Sequence, residues 1–171
     1  MRTRIFLTAT VAVLLAIAGV TLASAAGDSS GDDGRQVLKL RAVVEQEAFV
    51  NVPPDATTVG LGAVITFSDT LYDRSSGDRV GTDGGVCTVV SVSPPANPTE
   101  GDVHCVVTLS LTGGQITGQV LLTIPFAEGE LPPPFEVAIT GGTGKYEGAE
   151  GHVTVEETSP TESNLTVHLS D

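Results

Sequence analysis

The chain has no Trp, one Met, and only two Tyr and five Phe among its 171 residues, so any core it builds must be aliphatic. It is poor in positive charge. Eight Lys and Arg stand against 21 Asp and Glu, a formal net charge of −13. Such a surface repels phosphate backbones and anionic membranes, which argues against nucleic acid as a partner. With two Cys, the chain is neither a cysteine-rich disulfide scaffold nor a four-cysteine zinc module. No stretch sustains the 3.6-residue apolar period of an amphipathic helix. The longest apolar run, Ile5 to Ala18, is too short to span a bilayer comfortably.

That run has another reading. Arg2 and Arg4 precede it, Gly19 breaks it, and Ala23-Ser24-Ala25 supplies the small-x-small pattern of a cleavage site. Residues 1–25 read as a secretory signal peptide, which makes the mature protein extracellular and leaves it no membrane segment. Its loss removes two arginines and no acid, so six basic residues would face 21 acids. Residues 26–36, AGDSSGDDGRQ, have almost nothing apolar to bury and read as a disordered acidic linker. The folded domain is expected over 37–171.

Period-two alternation runs through this domain, broken by Gly and Pro clusters. Eight runs stand out: Val37–Gln46, Gly60–Tyr72, Val86–Val92, Val103–Leu111, Gln115–Ile124, Phe135–Ile139, His152–Glu156 and Leu165–Leu169. Short connections, such as Gly113-Gly114, favour an antiparallel up-and-down meander. Eight strands can close on themselves and remove the exposed edge, giving a barrel just wide enough to pack solid or to hold one small ligand. In an exported chain, Cys87 and Cys105 read as a disulfide. A hairpin centred near Ala96 places them opposite each other, with Val89 opposite Val103 and the bridge pointing inward, provided that the loop carries no bulge.

Several spaced motifs resemble the allene oxide cyclase and dirigent barrels. They are Phe67-Ser68-Asp69-Thr70-Leu71-Tyr72-Asp73, Arg79-Val80-Gly81, Gly85-Val86-Cys87 and Gly114-Gln115-Ile116-Thr117-Gly118-Gln119, then Ala138 through Gly151. The resemblance implies an eight-stranded barrel, a homotrimer, and an apolar pocket in the mouth that binds a small apolar molecule. Dirigent relatives steer the stereochemistry of reactive intermediates. In the plant cyclases the pocket Phe matches Phe67, a pocket Asn matches Asp69, a pocket Cys matches Cys87, and a first-strand Glu matches Glu45 or Glu47.

Alternation along the second run sends Ala63, Ile65 and Phe67 inward as pocket lining and continues to Asp69. A carboxyl at the end of an apolar lining has its pKa raised by desolvation, which suits proton transfer; the plainer reading is a turn cap in water. Glu45 and Glu47 flank Gln46. Gln46 continues the inward register of Leu38, Leu40, Ala42 and Val44, which leaves both glutamates on the solvent face with Lys39 and Arg41 unless a bulge intervenes. His104, His152 and His168 fall between apolar residues and point outward, with no metal-ligand spacing between them. Asp73, Asp78 and Asp83 do not fit a calcium loop. Gly141 to Lys145 lacks the spacing and the following helix of a phosphate loop. The sequence implies no metal and no cofactor. Three readings follow. The barrel binds an apolar molecule and steers its cyclisation or coupling; or it is a cyclase or isomerase working through Asp69; or it is a structural barrel with a filled interior.

Overall fold

The computed structural model describes residues 36–52, 59–127 and 129–170. The expected signal peptide and almost all of the expected linker lie outside them. Gln36, read as the last linker residue, is instead the first residue of a strand.

Eight strands follow in order: β1 Gln36–Val50, β2 Val64–Asp73, β3 Arg79–Ser93, β4 Glu100–Leu111, β5 Gly114–Pro125, β6 Phe135–Gly142, β7 Glu150–Ser159 and β8 Glu162–Ser170. Each pairs antiparallel with its neighbour, and β8 returns to β1, so the sheet closes as a barrel with no free edge. The expected eight-stranded up-and-down barrel is the observed architecture.

The strands run longer than the alternation alone implied. β3 begins at Arg79 rather than Val86, because Gly81, Asp83 and Gly85 occupy inward positions where an apolar residue was sought. β2 begins later, at Val64, and Leu61 sits on a turn with 70% of its surface exposed. The β4–β5 turn is Thr112-Gly113 rather than Gly113-Gly114. Gly113 has φ +98°, a conformation that glycine adopts without strain, and Gly114 already belongs to β5.

The barrel is filled at one end and hollow at the other. At the filled end, Leu40, Leu71, Leu109, Ile116, Val153, Val167 and Leu169 pack together, joined by Tyr146 from a 3₁₀ turn at Gly144–Tyr146. Leu71 and Val167 are fully buried there. At the other end the buried residues are fewer: Ala63, Val89 and Val103 pack around the Cys87–Cys105 disulfide. Cys87 pairs directly with Cys105, and Val89 with Val103, as the hairpin reading required. A bulge does occur, between Val89 and Ser91, but it lies on the loop side of the cysteines and leaves their register intact.

Candidate functional site

The inward residues of the hollow end define a cavity of about 470 Å³. Its wall is largely aliphatic and aromatic: Val44, Ile65, Phe67, Val103, Val107, Leu122, Ile124, Phe126, Phe135 and Val155 all face it, together with the disulfide. Ile65 and Phe67 line the cavity. Ala63 does not. It is buried behind the wall, packed in the cluster around the disulfide, because its carbonyl is tied to the Val89 amide just before β2 begins.

Phe67 owes its position to a glycine on the next strand. A Cβ at Gly85, directly opposite on β3, would lie 2.6 Å from Phe67 Cζ. Without that Cβ the ring lies across β3 and forms part of the wall.

Six carboxyl groups border this apolar surface, Glu130 and Glu162 among them, and the other four cluster around Asp69. Asp69 and Asp83 are directly opposed on β2 and β3, and each is more than nine-tenths buried. Asp83 meets Leu109 on its other side, which offers no donor. As ionised groups, both leave an Oδ1 atom without a hydrogen-bond partner. A shared proton resolves this: Asp83 keeps it and donates it to Asp69. Burial, then the negative charge of Asp69, pushes the Asp83 carboxyl up to about 8. Burial also raises Asp69, against which the hydrogen bond from Asp83 works.

The third carboxyl is Glu157 on β7. It pairs with Ser163 on β8, which pairs with Ala42 on β1, and Val44 two residues on pairs with Asp69. Small side chains at Ser163 and Ala42 leave room for Glu157 across the two strands between. Burial, then the charges of Asp69 and Glu47, raises Glu157 to about 7. Asp83 and Glu157 thus hold protons near neutrality beside an apolar space, with Asp69 raised between them, the condition under which a carboxyl serves as general acid or base.

Glu47 is the fourth, and its place corrects the sequence expectation. β1 has a bulge between Val44 and Gln46. Beyond it the register flips: Gln46 lies opposite the outward Ser68, whereas Glu47 lies opposite Phe67 and faces the cavity. Glu45, at the bulge, is not part of the cavity lining. Its Oε1 accepts a 2.9 Å hydrogen bond from the Thr70 hydroxyl, over an open depression that Ser68, Tyr72, Arg79 and Thr82 border together with Asp69 and Asp83. Of the three residues proposed as acids from sequence, Asp69 and Glu47 line the cavity, while Glu45 stands off it on a depression that Asp69 and Asp83 also border, where its charge helps to raise Asp69.

Sequence reasoning missed Asp83 and Glu157. The third run of alternation begins at Val86, past Asp83, which enters the sequence reading only as a calcium-loop acid. Glu157 did carry a signal: it continues the inward register of Val153 and Val155. The histidines point outward as expected, but His152 and His168 are cross-strand partners with rings stacked at 4.5 Å, a contact that spacing in sequence cannot reveal. Among the described residues no group of three His, Cys, Asp or Glu is arranged to hold a metal ion.

A closed eight-stranded barrel, filled at one end and opening at the other into an apolar cavity edged with carboxyls, defines a class of small-molecule barrels. Residues 36–169 match the family model for the allene oxide cyclase barrel like domain, and the chain belongs to that family. Among solved structures, a pyocyanin demethylase shares 30% identity, covering 78% of this chain and 99% of its own, with a TM-score of 0.60. AbnU, an exo-specific intermolecular Diels-Alderase, matches at 18% identity over 79% of this chain and 96% of its own, with a TM-score of 0.59. The pterocarpan synthase dirigent protein GePTS1 matches at 19% identity over 79% and 85%, with a TM-score of 0.55. The last two likenesses are of fold.

Proposed function

We propose that this protein binds a small apolar molecule in the hollow end of its barrel and moves a proton on it, in the course of a cyclisation or isomerisation. One observation carries the reading: the Asp69–Asp83 pair and Glu157 are desolvated at the edge of an apolar cavity, which raises Asp83 to about 8 and Glu157 to about 7. A passive guide needs only the apolar wall, which confines a reactive conformer and excludes water. Burying three carboxyls costs stability, so their presence favours a role in chemistry. The filled-interior reading gives way to the cavity. The relatives whose names denote demethylation, Diels–Alder addition and pterocarpan synthesis act on small organic molecules, which supports the same class of ligand here.

Asp69 would be the base that accepts a proton from the substrate, Asp83 the acid that holds and returns one, and Glu47 and Glu157 the neighbours whose charges set their affinities. Export follows in this reading from Arg2, Arg4 and the apolar run before Ala25. The homotrimer implied by family resemblance would pack through the exposed Val86, Val106 and Leu121 on the outer faces of β3, β4 and β5.

Native mass spectrometry on protein recovered from the host's own culture medium tests the reading. It should find mature chains without residues 1–25, assembled in threes, and carrying a small organic molecule released on gentle activation. Intracellular, unprocessed protein would remove the export claim, and monomers at every concentration would remove the trimer.

A further inference from the structure

The cavity lining contains no Lys, Arg or His among the described residues, and every charged group on it is a carboxyl. Glu162, at the rim, is already paired with Arg41 at 3.0 Å. Asp69, Asp83, Glu47 and Glu157 have no cationic partner in the cavity, and no side chain beyond the aspartate pair itself supplies a hydrogen bond to the buried Oδ1 atoms of Asp69 and Asp83. Buried carboxyls are ordinarily paired or coordinated. No cation in the cavity answers them, and they border a space that a ligand can enter. The wall is aromatic as well as aliphatic, and Phe67, Phe126 and Phe135 all face the same space. An aromatic face attracts a cation once water is excluded.

We propose that the cavity selects a cationic ligand: a flat apolar molecule bearing a protonated amine, iminium or quaternary nitrogen, seated with its charge against the Asp69–Asp83 pair and Glu157. The inference rests on the reading of the cavity as a small-molecule site and adds the charge of its occupant. It carries a corollary. A ligand whose own head group is a carboxylate, such as a fatty acid, meets like charge and no counter-charge, so anionic lipids are excluded. A second consequence concerns protons. A cation stabilises the ionised form of the carboxyls it touches, so its binding near neutrality expels protons that a neutral ligand leaves in place.

Three probes of one tricyclic outline test this on the disulfide-bonded mature chain: 10-methylacridinium as cation, acridine at pH 8 as neutral form, and acridine-9-carboxylate as anion. The expected result is binding of the cation at least tenfold tighter than acridine, with no measurable binding of the anion. Calorimetry of the cation at pH 7 in phosphate and in Tris should give enthalpies that differ by the proton release. In the double variant Asp69→Asn, Asp83→Asn, the tenfold preference and the proton release should both disappear. Retained acridine binding there shows that the barrel has folded. Equal affinity for cation and neutral probe, or preference for the anion, overturns the inference while leaving the small-molecule reading in place. Failure of all three probes to bind overturns both.

Discussion

Replacing Asp83 by Asn should stabilise the protein in base and leave it nearly unchanged in acid. In the folded chain the Asp83 carboxyl is raised from 3.8 to about 8 by burial and by Asp69. A group raised in this way binds more protons folded than unfolded, so its contribution to stability is whole below about pH 4. It is lost as pH rises towards 8 and remains lost above that. Each tenfold change in proton affinity is worth about 1.4 kcal/mol, which sets a ceiling of roughly 6 kcal/mol. The proton is shared with Asp69, and relaxation of the ionised pair recovers part of the cost. The expected difference is therefore on the order of 3 kcal/mol. For a domain of this size that is about 10 °C in Tm. Asn reproduces the protonated acid in shape and donates to Asp69 in its place. Melting curves of the two proteins should coincide below about pH 4 and separate at pH 9, with Asp83→Asn melting about 10 °C higher. Parallel curves at all pH values, or a variant that melts lower at pH 9, would refute the shared-proton account.

Other consequences are as direct. Proton abstraction from 5-nitrobenzisoxazole, a small flat carbon acid, should exceed the buffer rate and rise with pH through about 7 to 8, following Glu157 and Asp83. In Asp69→Asn the rate should fall and its midpoint move to lower pH, because the Asp69 charge helps to raise both groups. Glu47→Gln should also lower that midpoint and Glu45→Gln should hardly move it, since the bulge turns only Glu47 inward. Gly85→Ala should push the Phe67 ring from its place and cost about 1–3 kcal/mol by overpacking, read as a lower Tm and weaker ligand binding. Removing the Cys87–Cys105 bridge as Cys87→Ser, Cys105→Ser should lower stability by about 3 kcal/mol, because it frees the loop in the unfolded chain.

The fold was legible because a half-buried antiparallel strand announces itself by alternation, and all eight runs fell within observed strands, apart from the start of the second. The Cys87–Cys105 pairing was legible for the same reason: the symmetry of a hairpin fixes which residues oppose each other. The site was harder to read. Its acids stand at inward positions, where alternation seeks apolar residues, so the third run of alternation begins only at Val86, past Asp83. Bulges mark the β1 end of the site, and a one-residue slip reverses every side chain beyond it. That slip separates Gln46, expected inward, from Glu47, found there. Glu157 was within reach, since Val153 and Val155 already set its register.

The most direct test of the hollow barrel is a calorimetric titration with N-phenyl-1-naphthylamine, a neutral apolar probe, of the native protein and of a cavity-filled variant, Val107→Trp. The account predicts one site per chain in the native protein and its loss in the variant, with the barrel's circular dichroism unchanged. No binding to the native protein, or binding that the added indole leaves untouched, would contradict it.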